Sequence, residues 1–500
     1  MNDKQNIFPP AKIALFVAVV IALLGFVAVV MPETGVKVGG KSFYFVSLDD
    51  IFNADKDKID VEALIQARKD SLEAYQTRLK ELKFQSEQDS LEAAAQLAAA
   101  DPTRLQYGND DRNGLDIFFK ALATASSNNP SIRIMHYGDS QIEEDRITSY
   151  VRQRLQAKFG GAGVGIMAPK GITQSRSVAQ YTSENWSRYT AFGKSGGATD
   201  GRYGATAIMC KFVHHVSDSI DSVLVEKSFN SGFTTFNPRS KAHPSVRNFT
   251  RVRIFMGHNK APSEVKLDYD GIVATQVVDS NQTLQIVTFD LEKSPSKLKV
   301  TFSGKSSPEV YGISMETPNG VHMDNISMRG ASGTIFRKLN KDISQQMYTA
   351  LNPKLIILQY GGNVVPYIKS KEKAENYGKE FLANLRRIKS LYPNTSFLTI
   401  GPSDMSTNIN GKMQTYPNLP DVRDALKNAV FEMGGAYFDM YEVMGGKNSM
   451  PSWVDANPPL AAKDYIHFSP RGAEKIAELF YESLMLDYEQ YLQRIKLKKD

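Results

Sequence analysis

Four short segments carry residue types that could do chemistry together: Gly138-Asp139-Ser140, Met328-Arg329-Gly330-Ala331, Gly361-Gly362-Asn363 and Asp464-Tyr465-Ile466-His467. A serine hydroxyl is a weak nucleophile at neutral pH and needs a base. His467 can take the Ser140 proton, and Asp464 can hold the imidazole in the right tautomer and stabilise the imidazolium. Acyl transfer also needs donors aimed at the developing oxyanion. The backbone N–H groups of Ser140 and Gly330 and the side-chain amide of Asn363 are the candidates; losing one such donor typically costs about 2.7–4 kcal/mol of transition-state stabilisation. Gly330 suits this because its missing side chain lets the backbone approach a substrate closely. Each segment alone has an ordinary explanation, such as an Asx-type turn for Gly-Asp-Ser. All four in this order, each in its expected context, favour the catalytic reading.

The elements that must position these residues are legible as periodicities. Residues 132–137 read as a buried strand with Ser140 just past its carboxyl end, and residues 142–159 as the helix that follows. Residues 355–360 form a second buried strand ending in Gly361-Gly362-Asn363. Further strands are expected at 397–400 and 437–439. Helices are expected at 115–125, 333–351, 371–391, 419–433 and 470–492, the last opened by Ser469 as N-cap. Such alternation implies a parallel sheet covered on both faces, with ligands bound outside the carboxyl ends of its strands. From 160 to 315 the helical periodicity disappears. Short β-rich runs at 222–225, 252–256, 265–267, 285–289 and 298–302 suggest an inserted all-β sandwich.

The four segments resemble the signature blocks of the SGNH (GDSL-like) hydrolase superfamily, over most of residues 115–492. The resemblance implies an α/β fold, a three-layer α/β/α flavodoxin-like domain, and ester hydrolysis through an acyl-enzyme without metal or cofactor. It implies catalytic roles for Ser140, Asp464 and His467 and an oxyanion hole of Ser140, Gly330 and Asn363. The run Gly160-Gly161-Ala162-Gly163-Val164-Gly165 and the inserted β-region, similar to a carbohydrate-binding module, resemble the peptidoglycan O-acetylesterase branch. That branch removes acetyl groups from envelope sugars. Two departures stand out. Ser140 is followed by Gln141 rather than the common Leu, with little expected effect on the chemistry. Asn363 is followed by Val364, where many relatives carry an acidic residue, which bears on the loop geometry.

The remaining chain sets the context. Residues 13–31 are apolar and uncharged, about 28 Å long as a helix and close to a bilayer's hydrocarbon thickness. An uncleaved transmembrane anchor is favoured over a cleaved signal, because the run is long and lacks an A-x-A-like site. The large domain after it is then expected on the exported, periplasmic or extracellular side. The expected layout is a tail (1–12), the anchor (13–31), a linker (32–58) and a helical stalk (59–100). A first hydrolase part (112–160), the inserted β-module (161–315) and a second hydrolase part (316–494) follow. In the stalk Ile65, Leu72 and Leu79 recur every seven residues, fitting either a lone spacer helix or a short coiled coil that would make a dimer.

Composition excludes some classes. The formal net charge of +6 over 500 residues comes without a basic stripe interleaved with aromatics, so nucleic acid is not an expected partner. The expected partners are an acetylated glycan and the membrane. Cys210 stands alone, which rules out an intramolecular disulfide or a Cys-based zinc site. His214 and His215 are neighbours, and adjacent residues on a strand point to opposite faces, so they make poor joint ligands. Glu143, Glu144 and Asp145 read as first-turn charges favoured by the helix dipole. Residues 494–499 read as a solvated basic helix end. His136, Trp186, Tyr189, Trp453 and Tyr465 read as core residues first and as functional groups second. Three functions remain open: an O-acetylesterase, an O-acetyltransferase using the same triad, and a non-catalytic glycan-binding protein.

Overall fold

The computed structural model describes residues 9–32, 36–39, 41–45, 58–81, 101–108, 112–125, 130–193, 198, 200–212 and 230–497. The expected strand at 222–225, the pair His214-His215 and the stalk beyond residue 81 lie outside the described residues.

Five parallel strands form the central sheet: β1 (Ser131–Gly138), β2 (Gly320–Ser327), β3 (Pro353–Gln359), β4 (Ser396–Ile400) and β5 (Ala436–Phe438). Their spatial order is β2-β1-β3-β4-β5, the doubly wound flavodoxin-like order. Gln106–Tyr107 adds a short antiparallel edge beside β5. Successive strand residues face opposite ways. Ile132, Ile134, Leu355 and Ile357 enter one apolar cluster, and Met135, Tyr137, Ile356 and Leu358 enter another.

Helices cover both faces. α1 (Pro10–Val30) and α2 (Val61–Glu81) precede the sheet in sequence. α3 (Asp116–Ala123), α4 (Thr148–Phe159) and, far along the chain, the last helix fill the first cluster. α5 (Lys341–Leu351), α6 (Lys371–Leu391) and α7 (Leu419–Glu432) fill the second. α8 (Pro470–Leu497) is that last helix; Ser469 Oγ accepts from the Gly472 N–H at 3.2 Å, the expected cap.

Between β1 and β2 the chain builds two antiparallel sheets. One runs in the order Asn281–Asp290, Arg251–Asn259, Glu309–Glu316, Ile208–Phe212, Trp186–Thr190. The other runs Ile272–Val278, Ser263–Tyr269, Leu298–Gly304, Asn230–Pro238, Val178–Thr182. The Trp186 ring meets Phe212 of its own sheet and Phe302 of the other, both edge-on, at 5.8 and 5.6 Å. A buried ionic junction ties these sheets to the parallel one. Arg133 of β1 pairs with Asp324 of β2 at 2.7 Å and with Glu316 at the end of an antiparallel strand. The glycine run enters here: Gly163, at φ +93°, would put a Cβ 2.1 Å from the Met315 carbonyl oxygen, so only glycine fits that crossing.

α1 is 21 residues, mostly apolar and exposed, with Lys12 its one charge and Ala28 buried, and it is long and apolar enough to cross a membrane. The stalk reading needs correction over its described part. The heptad positions Ile65, Leu72 and Leu79 of α2 are buried with Val61 and Tyr75 in the same cluster as α8. Lys69 pairs with Glu478 at 2.7 Å, and Gln493 of α8 donates to the Leu79 carbonyl at 2.8 Å. The stripe is satisfied within the chain. A second copy could use it only after stripping it from α8, at about 1.5–3 kcal/mol per side chain.

Three more local expectations give way. The helix read from residue 142 starts at Thr148, because Glu144 and Asp145 take left-handed φ values of 62° and 66°. Glu143 and Asp145 are buried ion-pair partners of Arg329 and Arg152, not first-turn charges in solvent. Arg494 is also buried, held by Asn113 and Asp116, so the basic end is not wholly solvated.

Candidate active site

β1 is buried along almost its whole length and delivers Asp139 and Ser140 at its carboxyl end. β3 delivers Gly361-Gly362-Asn363 beside it, at the point where strand order reverses. The loop after β2 starts with the Met328 N–H donating to the Gly138 carbonyl at 2.7 Å, which brings Arg329-Gly330 alongside. A turn before α8 brings Asp464 and His467; Tyr465 in it has φ 57°, and its N–H donates to the Ala462 carbonyl. Ser140, Asn363 and His467 line one open cavity together with Met405, Ile466 and Tyr367.

The three residues read as nucleophile, base and orienter fall in one line. Ser140 Oγ is 2.7 Å from His467 Nε2, and His467 Nδ1 is 2.8 Å from Asp464 Oδ2. The other Asp464 oxygen accepts the backbone N–H groups of Ile466 and His467 at 2.9 and 3.0 Å. Burial works against the Asp464 carboxylate, but these N–H donors and the imidazole outweigh it and hold its pKa below the ordinary value. A carboxylate so held stays charged and fixes the imidazole with Nε2 free to accept the serine proton.

The proposed oxyanion donors differ among themselves. Among the described residues, neither the Ser140 nor the Gly330 N–H has a protein acceptor. Gly330 has φ +78°, with open space where a Cβ would stand. Asn363 is already engaged: its Nδ2 donates to Asp139 Oδ2 at 3.0 Å and to the Ala331 carbonyl at 3.1 Å. Both amide hydrogens are committed, so this side chain can serve an oxyanion only by releasing one of them. Asp139 is buried, and burial raises its pKa to about 6, against the opposing pull of the Gln141 N–H, His467 and Asn363.

Three features were not read from the sequence. Gln141 Nε2 donates to the Ile466 carbonyl at 2.7 Å, tying the Ser140 loop to the His467 turn. The residue that departs from the common Leu is thus a staple between the two loops. Glu143 accepts from Arg329 Nε at 3.0 Å and ties the Ser140 loop to the Gly330 loop. Tyr367, 78% exposed, stands at the cavity rim. Only the exposed aromatic at the end of Gly-Gly-Asn-Val-Val-Pro-Tyr carried a local signal.

The residues set aside earlier are placed as follows. His136 is buried between Thr148 and Gln359, with a pKa lowered by burial to about 4. Trp186 and Trp453 are core, their indole N–H groups donating to the Phe233 and Met444 carbonyls. Cys210 is buried, and burial raises its pKa to about 11. Among the described residues, no group of three or more His, Cys, Asp or Glu side chains is arranged to hold a metal ion.

No protein-family model matches the chain, and no curated protein does. Among solved structures, one described as a peptidoglycan O-acetylesterase in action is similar at a TM-score of 0.59 and 21% identity, covering 78% of this chain and 99% of that one. An acetyl xylan esterase follows at 14% identity, 32% and 80% coverage and a TM-score of 0.25. A family two carbohydrate esterase from Cellvibrio japonicus matches at 8% identity, 63% and 99% coverage and a TM-score of 0.22. The latter two scores are too low to bear on the fold. The first likeness shows that this chain shares the fold of that O-acetylesterase.

Proposed function

We propose that this chain is a serine esterase that removes O-acetyl groups from a cell-envelope polysaccharide such as peptidoglycan. Ser140 attacks the acetyl carbonyl, His467 takes its proton and returns it to the leaving sugar hydroxyl, and Asp464 stabilises the imidazolium. Water then attacks the acetyl-enzyme, with His467 again as base. The Ser140 and Gly330 N–H groups receive the oxyanion, joined by Asn363 once it lets go of one partner. The single observation that carries this reading is the line Ser140–His467–Asp464, at 2.7 and 2.8 Å, with Ser140 and His467 lining a cavity at the strand ends.

The polymer is the finer part of the proposal. The antiparallel sheets serve as a carbohydrate-binding-like sandwich inserted in the hydrolase domain, and the fold shared with a peptidoglycan O-acetylesterase supports an acetylated glycan. α1 anchors the protein in a membrane, with the catalytic domain on the exported side, supported by its length and apolar surface. The test is acetate release from purified O-acetylated peptidoglycan and from other acetylated glycans. Wild type should release acetate and Ser140→Ala should not, with its fold intact by circular dichroism. Undiminished release by Ser140→Ala sinks the assignment.

A further inference from the structure

A second, open cleft lies at the carboxyl end of β2. Ser327 lines it and pairs in register with Gly138, two residues before Ser140, so the two cavities sit on adjacent strands. Adjacent strands lie about 4.8 Å apart. The other wall comes from the antiparallel sheets, through Ile166, Ile208, Gln180 and Arg188. The lining mixes apolar side chains with a few hydroxyl and amide groups, the make-up of a small-molecule site.

Arg188 is the unusual member. Its Nε is buried without a hydrogen-bond partner, and no carboxylate among the described residues forms an ion pair with it. Burial lowers its pKa from the ordinary value; Cys210 and, less, Glu143 only partly oppose this. Glu143 is already paired with Arg329. The remaining charges at the cavity are matched or exposed. Asp145 pairs with Arg152, and Glu144 stands 3.9 Å from Arg176 at the surface. The cavity therefore holds one partly buried guanidinium that lies over the Phe192 ring at 5.8 Å but has no carboxylate partner among the described residues, and such a group suits a carboxylate.

We propose that this cavity is a substrate subsite that takes a carboxylate-bearing sugar of the acetylated glycan, with Arg188 pairing to the carboxylate. The inference rests on the esterase reading and narrows its substrate class to acidic glycans. The sugar carrying the carboxylate would sit one strand away from the ester at Ser140, so the site selects a neighbour of the acetylated position.

The test compares an acetylated oligosaccharide containing uronic acid with the same oligosaccharide after its carboxylates are converted to methyl amides. Wild type should show a higher kcat/KM on the acidic form by about tenfold, the scale of one hydrogen bond between charged groups. The preference should appear in KM and shrink with added salt. Arg188→Gln should bring the two substrates level. Glucuronate should compete with the acidic substrate on wild type more strongly than glucose does, a readout that needs no variant. Hydrolysis of both forms without preference, or a preference that survives Arg188→Gln, overturns the subsite alone. No hydrolysis of either form, nor of 4-nitrophenyl acetate, overturns the esterase reading and the subsite with it.

Discussion

Two aspartates flank the reacting line, and their surroundings push them in opposite directions. Asp139, next to Ser140, is buried, and its pKa is raised to about 6. Asp464, three residues before His467, has about half its side chain exposed, and its pKa is lowered by the imidazole and two backbone N–H groups. Both accept hydrogen bonds from residues of the candidate machinery, Asn363 in one case and His467 in the other. The difference separates two tasks. Asp464 is placed to stay charged and orient a base. Asp139 is placed to hold an amide, and burial makes its charge costly near neutral pH.

The sharpest way to break this contrast is Asp464→Asn. An amide there can favour the wrong imidazole tautomer, so kcat for ester hydrolysis should fall by about 10³–10⁴-fold with little change in thermal stability. A fall under tenfold would remove Asp464 from the orienting role. Asn363→Ala comes next. If the amide reaches the oxyanion in the transition state, kcat should fall by about 10²–10³-fold with KM nearly unchanged. If its only task is the bond to Asp139, the loss should appear as lower stability instead, measured by urea denaturation.

Asp139→Asn gives the smallest effect and the clearest sign. The folded-state pKa of about 6 lies above the ordinary 3.8. Asp139 thus contributes stability that is full below about pH 4 and lost as pH rises through about 6. Over that window wild type should lose up to about 3 kcal/mol from this group, at 1.36 kcal/mol per pKa unit. Asp139→Asn should lack that loss, so the stability difference between the two should change between pH 4 and 6 and be flat above. Parallel pH profiles would show that Asp139 is not buried and charged.

The same division explains what could be read from the sequence. Ser140, Asp464 and His467 were legible because each lies at the end of a strongly patterned element or within three residues of its partner. The contacts Gln141–Ile466 and Glu143–Arg329 were not, because they join residues far apart in sequence. β2 escaped notice because His322, Asp324 and Asn325 break its apolar run; Asp324 is polar because Arg133 on β1 needs a buried partner. The heptads of α2 showed an apolar stripe but not its partner, which is α8 of the same chain. The bend at Glu144–Asp145 was hidden because acidic residues at a helix start usually signal the dipole.

The central claim is that Ser140 is an activated nucleophile. Labelling with a serine-reactive phosphonate, followed by mass spectrometry of the labelled peptide, tests it most directly. One adduct on Ser140, absent in Ser140→Ala and formed more slowly in Asp464→Asn, is the predicted result. No adduct, or one on another serine that persists in Ser140→Ala, would contradict it.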